Sequence, residues 1–198
     1  MCRLRSAVFL LVLAGLLGVM PVACGEGGVR LKAGASAVSI SPQPEHLEGG
    51  VYLGGYGGFQ SRRARGVHDD IFSRALALSD GTSTVVLVAL DLVGISNVQI
   101  NRIRAEAASR AGLPEESILI ASTHSHATPD LQGLWGGVPE SYREYLRERV
   151  VQSVVEAVSR LDDAELSAAT VEAQGLTQNR RVWLWGANIP SVSGALTR

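Results

Sequence analysis

The stretch "TVVLVAL", residues 84 to 90, restricts this chain more than any other. Seven residues are too few for a buried helix, and all but the first are apolar, so no face is left polar. Such a run reads as a central strand covered on both sides. Its borders agree. Asp80-Gly81 just before it is a hairpin signal, which joins it to a second strand-like run from Ile71 to Leu78. Asp91 closes it. "LKAGASAVSISP" alternates small and apolar residues up to Pro42 and reads as a further strand ended by a turn.

Helical patterns alternate with these runs. "SNVQINRIRAEAASRAGLP" carries an apolar stripe at Val98, Ile100, Ile103, Ala107 and Ala111, with Gly112 as C-cap and Pro114 as stop. "SILIAST" is the next strand. "PESYREYLRERVVQSVVEAVSRL" is a long amphipathic helix with Pro139 near its first turn and Val151, Val154, Val155 and Val158 on one side. "AELSAATVEAQ" reads as another strand, followed by "GLTQNRRVWLWG". The expected fold class is α/β: a mixed β-sheet with helices packed on it. A length of 198 residues with 46% hydrophobic content supports one sizeable core.

The N-terminus reads as an address. "MCRLRSAVFLLVLAGLLGVMPVAC" places two arginines, then an apolar run from Ala7 to about Val19, then a small residue before Cys24. That is the order of a secretory signal over residues 1–24. The run is shorter than the roughly 20 residues a spanning helix needs, although an uncleaved anchor is the alternative. Cys24 after Ala23 resembles a lipoprotein cleavage site, with Pro21 a departure from its usual pattern, so membrane attachment through a lipidated Cys24 is expected beside plain secretion. Residues 25–30 read as a tether. Cys2 and Cys24 are the two cysteines, so no thiol is left for a disulfide framework or a nucleophile. A net charge of −1 without long single-sign runs gives no reason to expect nucleic acid. No G-x-S-x-G and no phosphate-binding glycine motif follows any of the strands.

The chemistry gathers at strand ends. "STHSHATPD" places His124 and His126 one residue apart after an apolar strand. On an extended chain they share a side, with their Cβ atoms about 7 Å apart. Imidazole pairs of this kind suit zinc, which takes about four ligands. A metal-free acid/base pair remains the alternative. His68, in "RGVHDD", ends a segment with seven glycines between Gly49 and Gly66; the segment reads as a loop that lets backbone approach something closely. His46, in "PQPEHLEGG", reads as a surface residue of a polar turn. Asp91, Asp69, Asp70 and Asp130 are the local carboxylates. Asp91 would touch the site or orient a histidine, or else be a solvated strand end.

Taken in order, "GGYG…RGVHDDIFSRALAL", "VALDLVG", "GLPEESILIASTHSHATPD" and "GLTQNRR" resemble the N-terminal part of the neutral/alkaline, non-lysosomal ceramidases, over roughly residues 31 to 183. The resemblance implies an exported zinc amidase that cleaves the N-acyl bond of ceramide, or of a related N-acyl lipid, to sphingosine and fatty acid. It implies Zn2+ held by His68 and by one of His124 and His126, with His126 favoured. His124 and Asp91 would then serve catalysis, and Asn179 and Arg180 would line the substrate. "HATPD" departs from the family's "HSGPG"-like continuation. The family's further ligands, a Glu and a Tyr, and its catalytic serine lie downstream in longer chains. The expected arrangement is therefore a partial catalytic domain over residues 31–185 with an irregular tail over 186–198. The alternative is an incomplete fragment or pseudo-enzyme, an exported metal-binding lipoprotein without activity of its own.

Overall fold

The computed structural model describes residues 30–173, 175, 181–184 and 187–190. Five strands form one sheet: β1 (Lys32–Ser39), β2 (Phe72–Ser79), β3 (Thr84–Leu90), β4 (Ile118–Ser122) and the two-residue β5 (Asp162–Asp163), in the order β4-β3-β2-β1-β5. β1, β2 and β3 pair antiparallel, and β4 joins β3 in parallel. A parallel neighbour needs a crossover. Here that is α2 (Asn97–Ala111), while α3 (Glu140–Ser159) returns the chain to β5. The sheet is mixed and the class is α/β, as the alternation of patterns implies.

Local chemistry sets the boundaries. The Asp80 carboxylate accepts the backbone N–H of Ser83 (2.7 Å) and Thr82 (2.8 Å), and these bonds hold it below the usual carboxylate range. Gly81 takes φ +86°, which the tight β2–β3 turn needs. Ser96 caps α2 by accepting from the Gln99 N–H, and Gly112 ends it at φ 68°. The core lies between the sheet and the two long helices and contains Val86, Val88, Leu90, Ile103, Ile118, Leu146, Val150 and Val154. Tyr142 of α3 is buried there; its hydroxyl donates to the Ile40 carbonyl (2.8 Å), and burial pushes its pKa above the ordinary tyrosine range.

Four expectations need correction. α3 packs on β1 and β2 and against α2, so both helices sit on one side of the sheet. The other side shows Leu76, Val85, Leu87 and Leu119, each between 38% and 60% exposed. Thus "VVLVAL" is covered on one face of its unit, not two. An apolar run records what a strand could bury, and the covering layer is a separate matter. Val98, assigned to the apolar stripe of α2, is 64% exposed; it lies in the first turn and lines an open cleft between α2 and α3 rather than the packed core. "AELSAATVEAQ" forms no strand over its described residues; 164–173 are irregular, and Leu166 and Val171 are each 86% exposed. Finally, His46 is buried rather than on the surface. It belongs to the short α1 (Pro44–Glu48), where its Nδ1 accepts the Gln43 N–H (2.9 Å) and its ring packs on Tyr142 and Tyr145.

Contacts divide the chain into two units, up to Glu165 and from Leu166. In the second, β6 (Arg181–Leu184) and β7 (Ala187–Pro190) form an antiparallel ribbon.

Candidate active site

The site grows out of the end of β4. Regular pairing stops at Ser122, but the backbone N–H groups of Thr123 and His124 still bond to the carbonyls of Leu90 and Leu92, at 2.9 Å each. The chain then leaves the sheet. His124 takes φ 63°, in the left-handed region, and His126 and Ala127 form a turn. The extended alternation expected of H-x-H is therefore absent. The two rings meet because the backbone bends.

They meet closely. The ring centroids are 4.7 Å apart at 80°, and the two Nε2 atoms lie 3.2 Å apart. The Nδ1 of His124 is 2.7 Å from the Val93 carbonyl oxygen. A carbonyl can only accept, so this Nδ1 carries a hydrogen. In the neutral ring Nε2 is then a bare lone pair facing its neighbour. His126 differs: its Nδ1 is buried and has no hydrogen-bond partner.

Packing holds His126 instead. Gly55, at φ +92°, lies flat against its ring; a Cβ placed there would be 2.2 Å from the ring Cγ. The Tyr56 ring meets it edge-on at 4.5 Å. Arg62 donates to the His126 carbonyl (3.0 Å) and to the Gly54 carbonyl (3.1 Å). The glycine-rich segment thus does bring its backbone close to something, and that something is the His126 ring.

Beneath lies Asp130, which is fully buried. Its carboxylate accepts four backbone N–H groups: Gln132 (3.2 Å), Gly133 (3.0 Å), Trp135 (2.6 Å) and Gly137 (3.0 Å). This orders the loop 130–137, whose carbonyls at Trp135 and Gly137 receive the N–H groups of Gln60 and Tyr52. The "DLQGLWGG" pattern, an Asp followed by glycines, is the local sign of such a turn. Nothing local separates Arg62 from Arg63, which serves the Leu47 and Glu48 carbonyls.

The other expected residues lie elsewhere. The side chain of His68 is 96% exposed and bonds Asp69 at 2.8 Å. It lines a cavity of about 290 Å3 together with Ser125 and Ala127, whereas His124 and His126 turn to each other. Asp70 accepts from Ser41 Oγ (2.7 Å). Asp91 accepts from the Phe72 N–H (3.0 Å) and pairs with Arg74, so it secures the β2–β3 edge, and the orienting partner of His124 is a carbonyl instead. Asn179, Arg180 and Cys24 fall outside the described residues. Zinc therefore has a divided fit. His124 and His126 suit it as two nitrogen donors, but His68 does not join them. Among the described residues no three His, Cys, Asp or Glu side chains converge on one point.

Comparison with solved structures decides the fold. A ceramidase complexed with C2 matches at TM-score 0.59 and 21% identity, over 68% of this chain and 22% of the other. A neutral ceramidase from Pseudomonas aeruginosa matches at TM-score 0.58 and 20% identity, with the same coverage. This is a ceramidase-type fold. The chain spans about a fifth of the length of these ceramidase structures. No protein-family model matches the sequence, and no curated protein does either.

Proposed function

We propose that this chain supplies the histidine pair of a zinc-dependent amide hydrolase of the neutral-ceramidase type. Its substrate would be ceramide or a related N-acyl lipid, cleaved to sphingosine, or the corresponding amine, and a fatty acid. The observation that carries the reading is the 3.2 Å approach of the two Nε2 atoms with His124 Nδ1 tied to Val93. The ceramidase-type fold supports it. Zinc, when bound, polarises an amide carbonyl and lowers the pKa of a water. His124 and His126 are the side chains that would hold it.

The protein's own groups have a definable role. With its Nδ1–H held by the Val93 carbonyl, His124 presents the Nε2 lone pair as the donor that would meet the metal. The Val93 carbonyl keeps His124 in the tautomer that this requires. Asn179 and Arg180 would line the substrate. Export through residues 1–24, with lipid attachment at Cys24, belongs to the same proposal; it rests on the order of arginines, apolar run and small residues. Among the described residues no helix is long and apolar enough to cross a membrane.

One observation favours a second reading, a metal-binding module without its own turnover: the missing third ligand among the described residues. Zinc content and release of fatty acid from a short-chain N-acylsphingosine, measured on the chain and on His124→Ala, discriminate. Zinc near one per chain with hydrolysis, both lost in the variant, supports the hydrolase. Zinc without hydrolysis supports the module. No zinc and no hydrolysis from folded protein sinks both.

A further inference from the structure

The two histidines are held by different means, and the difference exposes a residue of unassigned role. A metal-binding or catalytic imidazole is ordinarily oriented by a hydrogen bond to its second nitrogen. His124 has that bond, to Val93. His126 does not, since its Nδ1 is buried without a partner. Rotation about its side-chain bonds is limited only by what touches the ring. Those contacts are Gly55 on one side, the Tyr56 edge at 4.5 Å and His124 itself. Two of the three belong to the glycine-rich loop. The ring is therefore placed only as firmly as that loop is pressed against the turn at 126–127.

One guanidinium bridges the loop and the turn. Arg62 Nη1 reaches the Gly54 carbonyl (3.1 Å) and the His126 carbonyl (3.0 Å) together, bridging two segments 64 residues apart in the case of His126. The two carbonyls flank the Gly55–His126 contact. The same guanidinium lies 5.6 Å from the centre of the Tyr56 ring, in cation–π range. Arg62 thus touches His126 directly through its backbone and indirectly through both loop residues that pack on its ring. The backbone bonds from Leu53 to Arg62 and from Gly54 to Thr128 close the base of the loop, and the Gln60 N–H is held by the Trp135 carbonyl, but Gly55 and Tyr56 enter none of these bonds.

We propose that Arg62 is a positioning residue that fixes the His126 ring beside His124 by clamping the glycine-rich loop onto the turn that carries it. The proposal rests on the hydrolase reading for its consequence, the binding of zinc, but its geometry can be read without metal.

The test uses chain labelled with 15N-histidine, as wild type, Arg62→Met, Arg62→Lys and Tyr56→Leu. Imidazole 1H–15N correlations and the contact between the two rings are recorded without metal. Zinc affinity is then measured by competition with a chromophoric chelator. In Arg62→Met the His126 ring signals shift and its contact with His124 weakens, while His46 and His68 are unchanged. Zinc binding weakens about 10-fold, the low end for loss of an orienting group. Arg62→Lys, which keeps the charge and can reach a carbonyl, recovers part of both. A folded Arg62→Met chain with wild-type His126 signals overturns the proposal. Should Arg62→Met fail to fold, unmoved His126 signals in both Arg62→Lys and Tyr56→Leu overturn it equally. Wild type that takes up no zinc defeats the hydrolase reading alone, because the ring signals still judge Arg62.

Discussion

His126 and His68 could hardly differ more in their surroundings. His126 sits in a turn held by Arg62, Gly55 and Tyr56, just before the loop that Asp130 orders, with a buried ring nitrogen. His68 is almost wholly exposed and bonds Asp69, which is itself 89% exposed. Both belong to motifs that resemble those of one family. The contrast teaches that a motif supplies a residue type at a place in the chain, while a built site needs a second layer of contacts from elsewhere. His126 has that layer and His68 does not.

The comparison can be broken most severely from underneath. Asp130→Ala removes a buried carboxylate that satisfies four backbone N–H groups, and leaves those donors orphaned. The expected cost is about 3 kcal/mol or more, read from urea unfolding, and loop 130–137 should lose amide-exchange protection. A loss near zero would mean that the loop is not what supports the His126 side.

Gly55→Val comes next. It places a branched side chain at φ +92° and drives it into the His126 ring. A cost of about 2 kcal/mol in unfolding free energy is expected, with displaced His126 ring signals. Undisturbed His126 signals would show that the loop does not rest on the ring.

A third experiment sharpens the contrast at the level of ligands. His124→Ala or His126→Ala should weaken zinc binding by at least about 10-fold in a competition assay, whereas His68→Ala should leave it within about 2-fold of wild type, the context scatter expected at an exposed site. Equal losses from His68 and His126 would mean that the two corners meet around the metal. The smallest effect is expected from Asp69→Asn. An exposed pair of this kind adds little to stability, so the thermal midpoint should stay where it is. A clear fall in the midpoint would give the His68 corner a structural role that its exposure denies.

Much of the fold was legible because its signals are short-ranged. The Asp80-Gly81 turn, the Gly112 cap and the period-2 and helical patterns lie within a few residues of what they determine. The site was legible in part. The H-x-H pair was visible, but its geometry was not, since His124 leaves the extended conformation at φ 63°. Asp130 was visible as a carboxylate and not as the anchor of a loop. Arg62 was hidden among neighbouring arginines.

By itself, then, the sequence determined β1 to β4, the helices α2 and α3, the Asp80-Gly81 turn and the presence of two imidazoles after β4, because backbone preference and side-chain periodicity are local properties; it misplaced a strand over 164–173 and a turn where α1 forms. Tertiary structure decided which sheet face the helices cover, that His46 is buried against Tyr142 and Tyr145, and that His124 rather than His68 is the partner of His126. The physical reason is distance along the chain. A carbonyl at Val93, a guanidinium at Arg62 and a glycine face at position 55 reach the histidines across 31 residues or more, and only packing brings such groups together.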